Sequence, residues 1–231
     1  MKPEEALALL KKYGASGSVL EHVKVVRDYA MEMAENADCD RELVEAGALL
    51  HDIGRTETHG IDHAVVGAKI LRKEGVDERI VRIVERHIGA GITREDAEYL
   101  GLPPADYLPE TIEEKIVCHA DNLIGKKDRV TIREAIETAR ERWSPGAVDR
   151  LIQYHFEVFK PVEIAIDNRT PSAQFNPKKK QAGTLKKEID ETIAKMDVLY
   201  KLREEDGDTI VSLYGSEAEK AAKRLKKKLL A

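Results

Sequence analysis

The sequence is poor in the groups that would assign it to several common classes. Its 231 residues include two cysteines, one tryptophan and three phenylalanines, and aromatic residues make up 5%. Cys39 and Cys118 have no metal-finger spacing, so they read as free thiols of a reducing compartment, most simply as small core hydrophobes. No apolar run approaches the ~18 residues needed to span a bilayer. The stretch Met1 to Leu10 carries Glu4 and Glu5 and has no signal-peptide pattern. The expectation is therefore a cytoplasmic protein with no membrane partner. The first 160 residues show no sustained period-two alternation, which argues against a sheet there, and there is no internal repeat.

What is present is charge. Charged residues make up 35% and hydrophobic residues 42%, against ~25% charged in typical soluble domains. The surface must be densely ionic, a Glu/Lys-rich balance that would suit a heat-stable protein. The length allows one domain with a full core and a smaller second element. Net charge is −5 and unevenly spread: Lys178 to Ala231 holds 14 Lys and Arg against 10 Asp and Glu, while the remainder holds 24 against 33. That asymmetry suggests two regions with different jobs.

Read for start and stop signals, the first 160 residues are successive helices. Pro3 opens one that ends near Gly14. Ser18 is the expected cap of a second, running to about Asn36 with Val19, Val23, Val26, Ala30 and Met33 on one stripe. Asp40 caps a third that ends in Ala-Leu-Leu-His-Asp-Ile-Gly, with Gly54 as its stop signal. Asp62 caps a fourth through Lys73, Asp77 a fifth through about Ile88, and Thr93 a short sixth. Thr111 caps the helix carrying Cys118, His119 and Asp121. Two more follow around 132–142 and 145–159. Pro171, Pro177, Lys178 to Lys180 and Gly183 then mark a linker. Beyond it a helix is expected from Thr184 to about Arg203, a turn at 206–208, a short strand from Thr209 to Tyr214, and a last helix capped by Ser216. One strand cannot be stable alone, so it must pair with the main domain, a second protomer or a partner.

The chemistry lies in histidines and aspartates near helix ends. His51 and Asp52 are adjacent, and neighbours on a helix project about 100° apart. Both can face one site only near a terminus. His22 lies on the inward stripe of the preceding helix, and Asp121 comes late in an amphipathic one. A bundle would let these four converge from three helices. Imidazole with carboxylate suits iron, manganese, zinc, cobalt or nickel, and no thiolate set favours a closed zinc site. Asp52 has two oxygens and can bridge two ions; His63 and His87 could complete the second. Two ions ~3.5–4 Å apart can hold a bridging hydroxide and neutralise a phosphate. A lone internal histidine is ordinarily a hydrogen-bonded core residue; the strength here lies in the ordered set of six.

That set resembles a known family. His22, then Leu-Leu-His51-Asp52-Ile-Gly, then Asp121, is similar to the HD superfamily of metal-dependent phosphohydrolases, over roughly residues 16 to 130. His63 before Ala-Val-Val-Gly-Ala and His87 before Ile-Gly resemble its subgroup with two extra histidines and a dinuclear, often iron, centre. His119-Ala120-Asp121-Asn122 is similar to a helix of bacterial symmetrical diadenosine tetraphosphate hydrolases. The resemblance implies that His22, His51, Asp52 and Asp121 bind one ion, and that Asp52, His63 and His87 bind the other. It implies a cofactor of two divalent or mixed-valence metal ions, iron first, with manganese, cobalt, nickel or zinc as alternatives. Many members have Lys where this chain has Arg55, which can clamp a phosphate but is a poor proton donor. Asp52 and Arg55 are thus the expected catalytic residues, and Arg55, Asn122 and Lys126 the expected substrate contacts. His59 competes with His63 but lacks the matching flank. His119 points away from Asp121, and His155 reads as core.

The fold expected is all-α: an HD-domain helical bundle over residues 1–167, a linker at 168–183, and a small helix-strand-helix extension at 184–231. Lys220 to Lys228 contains six Lys or Arg in nine positions. This helix could contact RNA, although a solvated helix face is the simpler reading, and beyond Tyr200 and Tyr214 there is little aromatic interleaving to form a stacking platform. The expected function is metal-dependent hydrolysis of a phosphoester or phosphoanhydride in a small nucleotide-type substrate. The alternatives are a dinuclear iron oxygenase of the same fold and a regulatory or RNA-associated module. Specificity is expected from loops such as Ala90–Tyr107. The single strand hints at a homo-oligomer.

Overall fold

The computed structural model describes residues 1–35, 37–125, 128–167, 182–206 and 208–229. These form two compact units, Met1–Val130 with Ala135–Val158, and Thr131–Glu134 with Phe159–Ala231.

The first unit is helical: α1 (Pro3–Lys12), α2 (Gly17–Ala34), α3 (Arg41–Leu50), a 3-10 turn (Ile53–Thr56), α4 (His63–Lys73), α5 (Glu78–Glu85), α6 (Arg94–Tyr99), α7 (Ile112–Asn122), α8 (Ile132–Arg142, of which Ala135 onward belongs to this unit) and α9 (Pro145–Val158). Short polar side chains start most of them. Asp40, Asp77, Thr93 and Thr111 accept from Leu43 N, Arg79 N, Asp96 N and Glu114 N, which satisfies amides that have no partner within the helix. The cap of α2 is Ser16 rather than Ser18: Ser16 is extended and its Oγ accepts from Val19 N, leaving Ser18 inside the first turn. The fifth helix stops at Glu85 instead of Ile88, because Arg86 leaves helical geometry at φ −115°, ψ 9°. Ala6, Leu10, Val23, Leu50, Ile53, Leu71 and Val84 close one core among α1 to α5.

Gly54 acts differently from the expected stop signal. It does not adopt a positive φ. Instead the 3-10 turn lies directly on the start of α4: a methyl group at Gly54 would sit 1.9 Å from the His63 carbonyl oxygen and 2.7 Å from Gly67 N. Glycine is there for close approach, and that approach sets His63 beside Asp52.

The second unit contains β1 (Val162–Asp167), α10 (Ala182–Ile193), β2 (Leu199–Glu205), β3 (Asp208–Tyr214) and α11 (Ala218–Leu229). The three strands form an antiparallel sheet in the order β1-β3-β2, with Ile164 and Leu202 both opposite Val211. Ile164, Ile166, Val211 and Leu213 pack with Ile189 and Ile193 of α10 and with Ala221 and Leu225 of α11. Glu163, Arg203 and Ser212 bond one another across the three strands.

The second unit therefore has three strands where one was expected: β2 and β3 lie in the expected extension, β1 lies within residues 1–167, which were expected to be helical bundle, and α10 ends ten residues before Arg203. Leu199–Glu205 is made of ordinary helix formers, but pairing with β3 overrides that preference. The strand once short of partners finds them in its own chain, so it gives no argument for a second protomer. Most of the expected linker lies outside the described residues. No described helix is long and apolar enough to cross a membrane.

Candidate metal centre

The six expected ligands come together. His22 projects from α2, and Asp121 from the last turn of α7. His51 is the residue at which α3 ends, and Asp52 has already left the helix at φ −99°, ψ 15°. That break is what lets two adjacent side chains face one site. His63 opens α4, and His87 follows the end of α5.

Asp52 stands between two imidazole sets. Its Oδ2 is 3.9 Å from both His22 Nε2 and His51 Nε2. Its Oδ1 is 3.2 Å from His63 Nε2 and 3.7 Å from His87 Nε2. On the first side Asp121 Oδ1 closes the group, 3.0 Å from His22 Nε2 and 3.6 Å from His51 Nε2. His51, His63 and His87 are buried. Potential ligand atoms of His22, His51 and Asp121 lie within 4.8 Å of one another, as do those of His51, Asp52 and His87.

The ring tautomers fit a metal. Nδ1 of His51, His63 and His87 lies 2.8, 2.8 and 2.7 Å from the carbonyl oxygens of Ala48, Gly60 and Val84, three residues back in each case. A carbonyl can only accept, so each Nδ1 carries a proton, and each of these rings, when neutral, turns its Nε2 lone pair inward. Those lone pairs meet: His63 and His87 Nε2 are 3.1 Å apart, and His51 and His22 Nε2 are 3.3 Å apart. Facing acceptors repel unless a cation or a proton lies between them. Burial opposes charge on His51, yet Asp52 and Asp121 outweigh it and raise its pKa to about 9. Burial also opposes charge on Asp52 and Asp121, but the surrounding imidazoles hold both carboxyls below the usual carboxylate range. His87, buried and beside His51, is pushed down to about 3. The site is thus one buried and one part-buried carboxylate with converging nitrogen donors, which could hold metal ions.

Arg55 lies against this centre, with Nε 3.0 Å from both Asp52 oxygens. Each carboxylate oxygen has two lone pairs, so one remains on Oδ1 toward His63 and His87, and one on Oδ2 toward His22 and His51. Asn122 donates from Nδ2 to the Gly89 carbonyl at 2.6 Å, which ties α7 to the loop after His87. Lys126 lies outside the described residues. His59 is exposed and joins neither group; only its carbonyl oxygen approaches Arg55, at 3.5 Å. His119 and His155 are buried partners 3.0 Å apart. The sequence reading missed the backbone carbonyls that orient the rings. Their only trace is positional, three residues before each histidine, and any residue type can supply them.

Comparison with known proteins matches the part of the chain that carries these six residues. A family model described as HD domain matches residues 19–125. The chain is 52% identical over 155 residues to a tRNA (cytidine(56)-2'-O)-methyltransferase of Thermoplasma volcanium, covering 66% of this chain and 46% of that protein. It is 50% identical over 165 residues to an uncharacterized protein of Methanocaldococcus jannaschii, covering 68% of this chain and 97% of that one. It is 32% identical over 127 residues to a ribonuclease Y of Acidothermus cellulolyticus, covering 54% of this chain and 22% of that enzyme. The match thus spans about half the length of the methyltransferase.

Proposed function

The chain belongs to the HD superfamily of metal-dependent phosphohydrolases, and from that premise we propose that it hydrolyses a phosphoester or phosphoanhydride of a nucleotide-type substrate at a two-metal centre. The observation that carries the reading is the division of Asp52: one carboxylate oxygen toward His63 and His87, the other toward His22 and His51. In this reading His22, His51, Asp52 and Asp121 hold one ion, and Asp52, His63 and His87 the other. Iron suits the mixed nitrogen and oxygen donors, with manganese, cobalt, nickel and zinc as alternatives.

Bound there, the ions supply Lewis acidity to the phosphate and a water acidic enough to attack near neutral pH. The protein's own work is orientation. The carbonyls of Ala48, Gly60 and Val84 fix three imidazoles with Nε2 inward. Arg55 holds the plane of Asp52 through Nε. Its guanidinium is about one third exposed, so its outer nitrogens are available to a substrate phosphate. A guanidinium is a poor proton donor, so in this reading Arg55 is not the acid for the leaving group.

The test is phosphate or nucleotide release by protein loaded anaerobically with iron(II) or manganese(II), across nucleotides, dinucleoside polyphosphates and short RNAs. Turnover that disappears in His51→Ala is expected. No turnover across the panel with both ions bound would sink the reading, and substrate-dependent oxygen uptake without phosphate release would replace it with the oxygenase alternative.

A second reading draws on the relatives' names, two of which concern RNA: the chain works as an RNA-associated module. On the chain itself, α11 turns Ala221, Ala222, Leu225 and Leu229 inward and leaves Lys220, Lys223, Lys226, Lys227 and Lys228 exposed. If RNA binding survives His51→Ala but is lost on removing α11, this reading prevails.

A further inference from the structure

Beside the metal centre, within the same unit, lies a cavity of about 400 Å³. Its floor is the turn Gly89–Ala90–Gly91, which begins two residues after His87; a further wall is Ile61, two residues before His63. Two residues of chain span at most about 7 Å, so the backbones of His63 and His87 lie within that distance of Ile61 and Gly89, which line the cavity. The floor is built rigidly. Gly89 and Gly91 adopt φ of +56° and +81°. The three carbonyls of the turn are all tied down: Gly89 by Asn122 Nδ2, and Ala90 and Gly91 by Arg150 Nε and Nη2 at 2.8 and 3.0 Å.

The walls are apolar and aromatic where water would ordinarily be faced by polar groups. Trp143, the sole tryptophan, packs against the floor: a methyl group at Gly89 would lie 3.5 Å from its Cζ2. Tyr99 lines the cavity yet is 91% exposed. Ile61, Tyr99 and Leu100 are three of the five large hydrophobic side chains exposed among the described residues, and all three line this one cavity. Scattered exposed apolar residues need no explanation, but their concentration on a preformed hollow marks a binding site. Three polar side chains join them: Asp96, which can only accept when ionised, Arg142 and Ser144.

We propose that this cavity binds the nucleobase of a mononucleotide-sized ligand, whose phosphate is directed to the metal centre. The assignment rests on the hydrolase reading for its purpose and adds the substrate's base to it. A flat heteroaromatic ring matches the indole and phenol, which offer π-faces to any base. The Asp96 carboxylate requires donors, so it favours a base edge bearing N–H groups. The volume lies at the small end of the range for ligand pockets, about 300–1,000 Å³, so one nucleoside is accommodated rather than a strand.

Trp143 is the sole tryptophan and lines this cavity, but it also lines a second hollow with Asn122 and Leu151, so Tyr99, which lines only the first, assigns the fluorescence signal to this cavity. Guanosine and adenosine, which have no phosphate to hydrolyse, are titrated into the metal-loaded full-length protein, with ribose 5-phosphate as the base-free control. Saturable quenching by the nucleosides and none by ribose 5-phosphate is expected. Tyr99→Ala, a change at an exposed side chain, should weaken half-saturation by about five-fold or more, the scale of one lost stacking partner. Absence of quenching, equal quenching by ribose 5-phosphate, unchanged affinity in Tyr99→Ala, or binding seen only with oligonucleotides would each overturn the assignment. If phosphate release fails while nucleosides still quench, the hydrolase reading is lost and the base pocket stands.

Discussion

Replacing Gly54 by alanine tests how the centre is assembled. The added methyl would lie 1.9 Å from the His63 carbonyl oxygen, 2.8 Å from the His63 carbonyl carbon and 2.7 Å from Gly67 N, all backbone atoms. No side chain can rotate out of the way, so the 3-10 turn and the start of α4 must separate by about 1.5 Å to reach ordinary contact, the kind of overpacking that costs about 1–3 kcal/mol. For a chain of this length that corresponds to a fall in Tm of roughly 3–10 °C. The displaced segment carries His63, whose Nε2 lies 3.2 Å from Asp52 Oδ1. A misplacement of about 1 Å in a catalytic group can cost about 100-fold in rate. Calorimetry and elemental analysis of Gly54→Ala should therefore show a lower Tm together with loss of the ion on the His63 side. Gly17→Ala is the control: nothing lies within 4 Å of that methyl, and Tm should hold or rise slightly. A Gly54→Ala protein with wild-type Tm and full metal content would refute the reasoning.

Three further outcomes follow from single contacts. Arg55→Ala frees the Asp52 plane and should lower metal affinity by about 10–100-fold, measured by chelator competition; unchanged affinity would remove Arg55 from the positioning role. Burial pushes the Cys118 thiol up, whereas Cys39 is only part-buried, so iodoacetamide at pH 8 should label Cys39 first and Cys118 only on unfolding; equal labelling rates would contradict this. Burial, with His155 beside it, holds His119 well below its ordinary pKa. Below pH ~6.5 the unfolded chain then binds the extra proton, and stability should fall with pH by up to ~1.4 kcal/mol per unit from this group; urea unfolding at pH 7.5 and 5.5 should show a shallower dependence in His119→Phe, and an identical slope would exclude His119 as its source.

The helices of the first unit were legible because their caps and stripes are local: Asp40, Thr93 and Thr111 mark starts that need no tertiary knowledge. The adjacency of His51 and Asp52 already required a helix end there, and α3 ends between Leu50 and His51. The role of Gly54 was not legible, because a glycine needed for close approach to α4 looks the same in sequence as one that stops a helix. The strands β1 and β2 were hidden for a similar reason. Val162–Asp167 alternates over only six residues, and Leu199–Glu205 has helix-forming composition, so both depend on β3 to become strands. The aromatic pocket was out of reach altogether: Ile61, Tyr99 and Trp143 lie far apart in sequence, and only the fold brings them to one hollow.

The central claim is that Asp52 serves two metal sites, and it is tested most directly by counting metals. Elemental analysis of protein purified anaerobically, alongside His63→Ala and His22→Ala, should give two ions per chain in the parent and about one in each variant. One ion in the parent, unaffected by His63→Ala, would remove His63 and His87 from the centre and contradict the account.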